Sequence, residues 1–260
     1  MKALLTLTAC LICLAGFTGA ADARDVVLIG EVHDNPGHHA EQAARVAAIK
    51  PAALVFEMLT PEQAAAATPA ARASEAALRA ALDWDKTGWP DFAMYYPIFA
   101  AAPQARILGA GVTRKAARKA LEQGFATLIG DADAARFGLD APLPPDQQKA
   151  REALQMRAHC DALPDAMLPG MVRVQRLRDA MLARAAIAAH DATGGPVVVI
   201  TGNGHARRDW GAPALLARAA PGLRVHAIGQ TEDGLPLPGG FDEVISSPAA
   251  DRDDPCEAFR

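Results

Sequence analysis

Two segments of the sequence place a histidine just after an apolar run that has the composition of a buried strand. In the first, VVLIGEVHDNPGHHAEQ (residues 26–42), Glu31 and His33 follow the run. In the second, VVVITGNGHARRDW, the run is followed by His205. Imidazole and carboxylate groups bind metal ions and transfer protons, so both segments are candidates for a functional site.

Both segments contain the motif Gly-x-x-His, in which His33 and His205 are the histidines. The carboxyl ends of parallel strands lie on one rim of a sheet, and ligands of open α/β sheets bind there. We therefore expect the two imidazoles to face each other, with the glycines letting the backbone turn sharply. Glu31 and Glu57, which ends the next apolar run, extend this cluster. The four side chains offer nitrogen and oxygen ligands for a divalent ion such as manganese, cobalt, iron or zinc.

The carboxylate of Glu57 has two interpretations, because an acidic group directly after the run Leu-Val-Phe is costly to bury alone. It is either a ligand or general base on the rim, or the partner of Arg207 or Arg208 in a salt bridge. In the first case the two histidines hold a metal ion while Glu31 or Glu57 activates water. The cluster therefore predicts a metal-dependent hydrolase as one candidate function.

Short apolar runs alternate with helical patterns, which is typical of an α/β fold with right-handed crossovers. Each run is nearly continuously apolar, as expected where helices cover both faces of a parallel sheet. The predicted strands are 26–29, 53–57, 106–110, 197–201, 223–228 and a weaker one at 243–245. The sequence thus predicts one α/β domain over residues 24–260, with a mostly parallel sheet flanked by helices.

No strand pattern occurs from about residue 112 to about residue 192, where prolines separate helical stretches. One helix is expected between Thr113, a capping residue, and Gly124, a helix-closing residue. A second begins at Asp146, and a third covers MVRVQRLRDAMLARAAIAAH. We expect these helices to form a subdomain inserted between strands of the sheet.

Residues 1–23 have the features of a secretory signal peptide. Lys2 precedes an uncharged apolar run, and the segment ADA, ending at Ala23, fits a small-x-small cleavage site. We expect cleavage after Ala23 and export to the periplasm. The alternative is a lipobox in LTAC, which would leave the protein anchored through a lipid on Cys10.

Two cysteines, Cys160 and Cys256, lie outside this leader. In an oxidising compartment an even pair favours a disulfide, because persistent free thiols are unusual there. The alternative is two independent thiols. A bridge would attach the C-terminal tail to the middle of the chain.

The composition argues against several other classes of protein. With 26 basic and 30 acidic residues, the formal net charge of −4 does not indicate a nucleic-acid-binding surface. No apolar run after residue 23 is long enough to span a membrane. No Gly-x-Gly-x-x-Gly motif follows a strand, and no Gly-x-Ser-x-Gly motif is present, so we expect neither nucleotide binding nor a serine nucleophile.

Four motifs resemble those of a known family. GEVHDN…HH..Q, FEM, HCDALPDAMLPGMVRVQRLRDAMLA and GNGHARRD together look like the ChaN-like haem-binding uptake family. This family belongs to a superfamily with Tiki proteases, TraB-type proteins and erythromycin esterases. The resemblance covers essentially the whole mature chain and implies a parallel α/β core with a smaller helical subdomain. It also implies a role in haem or iron uptake at the cell envelope.

The resemblance further implies a non-covalently bound haem whose iron has a Tyr or His ligand. In this family, dimers can enclose the haem between their subunits. A homodimer and an envelope haem receptor or transporter are the partners expected from it. No Cys-x-x-Cys motif for covalent haem attachment occurs in the mature chain. The candidate haem-binding residues are His33, His38, His39, Tyr95, Tyr96 and His205.

Some of these candidates also have a purely structural interpretation. Tyr95 and Tyr96 lie in the most aromatic stretch of the chain, which either lines a flat cofactor or docks a helix on the core. His38 and His39 begin a predicted helix, whose dipole would keep the rings neutral for iron ligation at the outer lip of the site. Otherwise they are exposed residues at a helix start. The third family motif favours haem binding, whereas the carboxylates near the two histidines favour hydrolysis.

Overall fold

The computed structural model describes residues 24–254, Cys256 and Glu257, and its six strands form one sheet with every adjacent pair parallel. The strand order is β3-β2-β4-β1-β5-β6. The strands are β1 (Val26–Ile29), β2 (Ala53–Phe56), β3 (Arg106–Gly109), β4 (Val197–Ile200), β5 (Val225–Glu232) and β6 (Glu243–Ser247). The predicted α/β fold with a parallel sheet is therefore confirmed. The predicted signal peptide, residues 1–23, lies outside the described residues.

The strands are connected largely by helices. In the described part of the chain these are α1 (Pro36–Ile49), α2 (Pro61–Ala66), α3 (Glu75–Ala81), α4 (Phe92–Ala101), α5 (Arg114–Gln123), α6 (Ala126–Ile129), α7 (Asp131–Arg136), α8 (Pro145–Ala158), α9 (Leu168–Thr193), α10 (Asn203–Ala206) and α11 (Ala212–Ala219). Short 3₁₀ helices occupy Ala71–Ala73, Trp84–Lys86 and Asp165–Met167. Among the residues described, no helix has the length and apolar character needed to cross a bilayer.

Helices cover both faces of the sheet, because successive strand residues point to opposite sides and those of the central strands β1, β2 and β4 are all apolar. In β1, Val26 and Leu28 pack in one core cluster with residues of α9 and α11, and Val27 and Ile29 pack in the other with residues of α1 and α4. β1, β2 and β4 are therefore buried on both faces, as their continuous apolar runs predict, whereas the edge strand β3 begins at the exposed Arg106 and is otherwise partly buried.

The segment between β3 and β4 is helical, and its caps follow the expected chemistry. The hydroxyl of Thr113 accepts a hydrogen bond from the Ala116 N–H at the start of α5, and Gly124 follows the end of α5 with a φ of 94°. Helix α8 begins at Pro145, one residue before the predicted start. The 26-residue helix α9 contributes many side chains to the core cluster on one face of the sheet. It therefore forms part of the layer that covers the sheet.

Strand β5 is longer than its apolar pattern indicates. The apolar run ends at Ile228, but the strand continues to Glu232 because its polar half pairs in parallel with β6. Gln230 in this half is fully buried, and its side-chain amide donates hydrogen bonds to the carbonyls of Gly30 (2.7 Å) and His38 (3.2 Å). Polar residues are stable there because the first Gly-x-x-His segment supplies their hydrogen-bond partners.

A disulfide joins Cys160 to Cys256, whose Cα atoms lie 5.5 Å apart. The predicted bridge is therefore confirmed, and the two-thiol alternative is wrong. Before it reaches Cys256, the tail is also held by Arg252, whose guanidinium contacts Asp34 at 2.8 Å and also pairs with Glu232. Because Asp34 directly follows His33, the tail is fastened to the first Gly-x-x-His segment.

Candidate functional site

The C-terminal rim of the sheet carries both Gly-x-x-His segments and the carboxylate predicted to join them. His33 follows β1, Glu57 follows β2 and His205 follows β4 within the short helix α10. His33 Nδ1 lies 2.7 Å from Glu31 Oε1, and His205 Nε2 lies 3.5 Å from Glu57 Oε1. The structure thus brings these four residues to one rim, as two carboxylate–imidazole pairs.

Glu31 is buried and holds His33 while being held itself by two other side chains. The Tyr95 hydroxyl donates to Oε1 at 2.9 Å, and the Gln42 amide donates to Oε2 at 2.7 Å. The His33 ring contacts Trp89, with 4.8 Å between ring centroids, and its side chain remains 34% exposed. Because Nδ1 faces Glu31, Nε2 is the remaining nitrogen of His33, and it lies near Gly202 without a hydrogen-bond partner among the described residues.

Burial and neighbouring negative charges act in opposite directions on the pKa of His33. Burial lowers the pKa of the imidazole, but the hydrogen bond to Glu31 and the negative charge of Glu57 outweigh it, so the pKa is raised above its ordinary value. A pKa raised in this way makes His33 a base of greater strength than a free imidazole.

The second pair is extended by a residue that the sequence interpretation did not include. Asp179 on α9 lies 2.6 Å from His205 Nδ1, so the His205 ring is flanked by Asp179 on one nitrogen and Glu57 on the other. Burial lowers the pKa of His205, and the two carboxylates raise it above its ordinary value. Burial raises the pKa of Asp179, and the attraction of His205 offsets this only in part. His205 is thus a nearly buried imidazole held in a fixed orientation.

Glu57 is held by hydrogen bonds from the neighbouring strand. The Thr201 hydroxyl and the Gly202 N–H donate to Oε2 at 2.6 Å and 2.8 Å. Burial raises the pKa of Glu57, but His205, His33 and these hydrogen bonds together lower it to about 2.

The alternative pairing of Glu57 with an arginine is wrong. Arg207 pairs with Asp209 and stacks on Trp210, and Arg208 pairs with Asp242. Both arginines therefore have other acidic partners, and Glu57 contacts Thr201, Gly202 and His205 at the rim instead.

Gly202, the first glycine of the second motif, is needed because the His33 ring packs close to it, and not because its backbone has a conformation that favours glycine. Gly202 has an ordinary φ of −65°, so the expected sharp turn does not depend on it. A Cβ at this position would lie 2.9 Å from His33 Nε2 and 3.7 Å from Glu57 Oε2. Gly202 thus lets the strand end pack against the His33 ring.

The predicted divalent metal site is not supported by this geometry. Among the described residues, no group of three or more His, Cys, Asp or Glu side chains is arranged to hold a metal ion. The reason is that the donors face one another or other protein groups. Both oxygens of Glu31 and one oxygen of Glu57 already accept hydrogen bonds from protein donors.

His38 and His39 are buried, so the expectation that they lie at an outer lip is wrong. His38 Nδ1 accepts a hydrogen bond from the Val32 N–H (2.9 Å), and its Nε2 contacts the Thr231 carbonyl at 3.3 Å. His39 Nε2 donates to the His33 carbonyl at 2.8 Å. Burial lowers the pKa of His38, which favours the neutral form of this ring. Both rings support the backbone of the first segment.

The two tyrosines also have structural contacts. Tyr95 is fully buried, and its hydroxyl is bound to Glu31. Burial and the charge of Glu31 raise the pKa of this phenol, which therefore remains protonated. The Tyr96 hydroxyl lies 3.4 Å from the Arg72 carbonyl, and its ring packs against the core. Both tyrosines therefore agree with the structural interpretation, in which this aromatic stretch docks a helix on the core.

Gln42 and Asp179 are the site residues that sequence interpretation missed. Both lie inside motifs that carry the family resemblance, but the sequence alone assigned them no role. Gln42 ends the pattern HH..Q, and Asp179 is the aspartate of RLRDAMLA in the third motif. Asp179 carried a further signal, since it is an acidic residue one helical turn before the buried Ala183. A charged residue on the apolar face of a helix needs a buried partner, which here is His205.

An open pocket of about 790 Å³ adjoins the rim. Glu57 and Trp89 line it directly and contact His205 and His33, respectively, whereas the two histidines are not themselves lining residues. Its wall is formed by apolar side chains, including Met58, Val112 and Leu182, and by three basic residues, Lys86, Arg114 and Arg178. Its size and mixed lining are typical of a small-molecule site.

Comparison with solved structures gives a likeness to ChaN of Campylobacter jejuni, whose structure is described as showing cofacial haem binding. The two chains are 17% identical, the match covers 82% of this chain and 84% of that one, and the TM-score is 0.61. The type III effector HopBA1 matches at 16% identity over 87% of this chain and 88% of its own, with a TM-score of 0.45. None of the curated proteins matches this chain.

A family model described as "Haem-binding uptake, Tiki superfamily, ChaN" matches residues 17–216. This range contains all four motifs quoted above and every residue of the two carboxylate–imidazole pairs. The match supports haem binding or haem uptake as the class of function. Because the matched range is well over half of the sequence, the chain belongs to the ChaN family of haem-binding uptake proteins within the Tiki superfamily.

Proposed function

We propose that this protein binds haem non-covalently in the pocket beside the rim, with His33 as the iron ligand. The observation that carries this proposal is the state of the His33 side chain. Its Nδ1 is bound to a buried carboxylate while about a third of the side chain is exposed, at 34%. Histidines that ligate metals usually have their second nitrogen held in this way by a carboxylate or carbonyl.

The other candidate ligands are less suitable, because the other three histidines and Tyr95 are buried and bonded, and the hydroxyl of the partly buried Tyr96 is bonded to the Arg72 carbonyl. His38, His39 and Tyr95 are at most 1% exposed. His205 is 7% exposed, and both of its nitrogens face carboxylates. His33 is therefore the candidate imidazole that a planar cofactor can approach without local unfolding.

The pocket fits the chemistry of haem, which is a flat apolar ring with two carboxylates on one edge. Trp89 offers an aromatic surface next to His33, and the apolar wall continues through Met58 and Leu182. Arg114 and Arg178 offer positive charge for the carboxylates. When bound, haem would supply the iron that an uptake protein captures, and the chain's own residues bind and orient it.

Export and assembly are part of the same proposal. The leader at residues 1–23 supports delivery to the periplasm, and the Cys160–Cys256 bridge is of a kind that persists in oxidising compartments. A lipid anchor on Cys10 remains the alternative form of export. We also propose that two copies enclose the haem and that an envelope haem receptor or transporter exchanges haem with the protein.

The test is a haemin titration of the purified protein, followed through the Soret absorbance. We expect a saturable Soret shift at a fixed stoichiometry. In His33→Ala, loss of the proposed iron ligand should change the spectrum and raise the Kd by about tenfold or more, which corresponds to about 1.4 kcal/mol. Tyr95→Phe, which keeps His33 in place, should retain the spectrum of the unmodified protein.

His190→Gln is the matched control, because His190 lies near the C-terminal end of α9, where it approaches Gly195 rather than the rim. It should leave the Soret spectrum and the Kd unchanged. Absence of a saturable Soret shift in the unmodified protein contradicts haem binding. An unchanged spectrum in His33→Ala contradicts the choice of ligand.

Hydrolysis is a second candidate, favoured by the Asp179–His205–Glu57 arrangement, which haem ligation by His33 does not require. The metal-dependent form is not supported by the donor geometry. A form without metal would use His33 as the general base, since this ring is accessible and its pKa is raised. Turnover of simple ester substrates that falls by about 10²-fold or more in His33→Ala would support it.

A further inference from the structure

The pocket beside the rim has more positive charge than its own carboxylates neutralise. Its lining contains two acidic residues, Glu57 and Asp83, and three basic ones. Glu57 is committed to His205 and to hydrogen bonds from β4, and Asp83 pairs with Lys86 at 2.8 Å. The two remaining charges, on Arg114 and Arg178, therefore have no acidic partner within the pocket.

Arg178 is the more unusual of these two side chains because it is partly buried. In the part of the chain that the structure describes, no carboxylate pairs with it and it makes no hydrogen bond. The neighbouring arginine on the same helix, Arg176, instead donates to the carbonyls of Gly138 and Ala141. The Arg178 nitrogens are absent from the fully buried polar atoms without partners, so its guanidinium is open to solvent and can bind an anionic group that enters the pocket.

The surroundings of Arg178 indicate the kind of ligand. Arg178 precedes Asp179, which holds His205, so it lies on α9 next to the second carboxylate–imidazole pair. Trp89 and Leu182 line the same pocket and offer an apolar surface. A ligand that satisfies both features has a broad apolar face and an anionic group at its edge. A guanidinium binds a carboxylate through two parallel hydrogen bonds.

We propose that Arg178, with Arg114 at the pocket mouth, binds the propionate carboxylates of haem and so sets the orientation of the cofactor. This inference rests on the proposed haem-binding function and adds to it a residue that recognises the edge of the ring. Arg114 is exposed at the first turn of α5 and contributes charge to the same pocket. His33 holds the iron, and Arg178 selects a porphyrin that carries free carboxylates.

The experiment compares haemin with haemin dimethyl ester, in which both propionates are neutral, by Soret titration in the same detergent. In Arg178→Gln, the Kd for haemin should rise by about tenfold, as expected for loss of charge-assisted hydrogen bonds. The Kd for the dimethyl ester should be the same in Arg178→Gln and the unmodified protein. Arg178→Lys, which keeps the charge but loses the planar fork, should give an intermediate Kd for haemin.

Arg118→Gln is the control, since Arg118 is exposed on α5 and is not part of the pocket lining. It should change neither Kd. Unchanged urea midpoints for the Arg178 variants would show that they fold normally, as expected because Arg178 makes no hydrogen bond that folding depends on.

Three results would overturn the proposal. An equal Kd for haemin in Arg178→Gln and the unmodified protein shows that Arg178 does not contact the ligand. An equal loss for haemin and its dimethyl ester shows that the effect does not involve the propionates. If the unmodified protein does not bind haemin at all, the proposed function is wrong and this inference falls with it. That outcome differs from the first two because it is seen in the unmodified protein, without any variant.

Discussion

The two imidazoles of the rim differ in exposure although both are held by carboxylates. His33 is partly exposed and rests on Trp89, whereas His205 is nearly buried between Asp179 and Glu57. Exposure suits His33 to contact a ligand, and burial suits His205 to position Glu57. Glu57 connects the two rings, since the charges of both histidines act on it. The rim is therefore one electrostatic network in which a change at one residue affects the others.

The close approach at Gly202 predicts a specific effect of Gly202→Ala. The new methyl group would lie 2.9 Å from His33 Nε2 and 3.2 Å from its Cε1, so the ring must move. We expect the His33 ring resonances in NMR spectra to shift and the haemin Kd to rise by about tenfold or more.

Gly204→Ala is the matched control in the same motif, because a Cβ at that position has no atom within 4 Å. It lies within α10 and should leave the His33 resonances and the Kd unchanged. Equal behaviour of the two glycine variants would contradict the close packing of His33 against the second segment.

The lowered pKa of Glu57 predicts how the stability of the protein depends on pH. Its pKa in the folded protein is lowered from 4.5 to about 2, so the folded state binds its proton less readily than the unfolded state. The contribution of Glu57 to stability is therefore complete above its unfolded pKa and is lost as the pH falls from 4.5 towards about 2. Glu57→Gln should cost about 1–3 kcal/mol near neutral pH, and this difference should shrink between about pH 5 and about pH 3.

Urea unfolding at a series of pH values measures this difference. Glu122→Gln, at an exposed position near the end of α5, should give a curve parallel to that of the unmodified protein. A cost for Glu57→Gln that is the same at about pH 3 as at neutral pH would contradict a charged, stabilising Glu57.

At the scale of elements, the site is made by strand ends, but it is completed by helices and by a polar strand extension. The positions of His33, Glu57 and His205 could be predicted because each follows an apolar run whose end is visible in the sequence. The role of Asp179 could not, since it depends on how α9 is rotated about its axis on the sheet. The burial of His38 could not be predicted either, because its partner Thr231 lies on a part of β5 that no apolar pattern marks.

The disulfide fastens one further element, the C-terminal tail, and its removal has a predicted effect. In Cys160→Ser/Cys256→Ser, the tail loses its covalent attachment to the segment after α8, and the attachments that remain among the described residues are the Arg252 ion pairs and nearby hydrogen bonds. We expect a loss of about 2–4 kcal/mol in the free energy of unfolding and faster proteolysis after β6.

Arg252→Gln tests the weaker attachment alone. Its guanidinium is partly exposed, so its loss should cost under about 1 kcal/mol and leave the tail resistant to protease. If the double serine variant is as stable and as protease-resistant as the unmodified protein, the bridge does not hold the tail.

At the scale of the whole molecule, the fold could be predicted from the sequence because the same pattern of apolar strand and helix occurs several times along the chain. The strands β1, β2 and β4 are each apolar throughout, and helices occur between them, so the parallel sheet does not depend on any one residue. The metal site was predicted less well, because residue types show which donors reach the rim but not whether they face a common point or one another. Hydrogen bonds such as Tyr95 to Glu31 decide that question, and they require three-dimensional packing.

The whole chain also carries a prediction about its mature form, which should begin at Arg24 when the protein is produced in a host with a periplasm. Cleavage after Ala23 leaves the folded domain intact, because its first strand starts at Val26 and Asp25 already pairs with Arg224 at 2.8 Å. Intact-mass measurement of the exported protein should therefore give residues 24–260, with no free thiol because Cys160 and Cys256 are bridged. Cys10→Ala should not change processing, whereas Ala23→Leu should block it, since signal cleavage needs a small residue at this position. A diacylated Cys10, or loss of processing in Cys10→Ala, would show that the chain is a lipoprotein, and an unprocessed cytoplasmic chain would contradict export altogether.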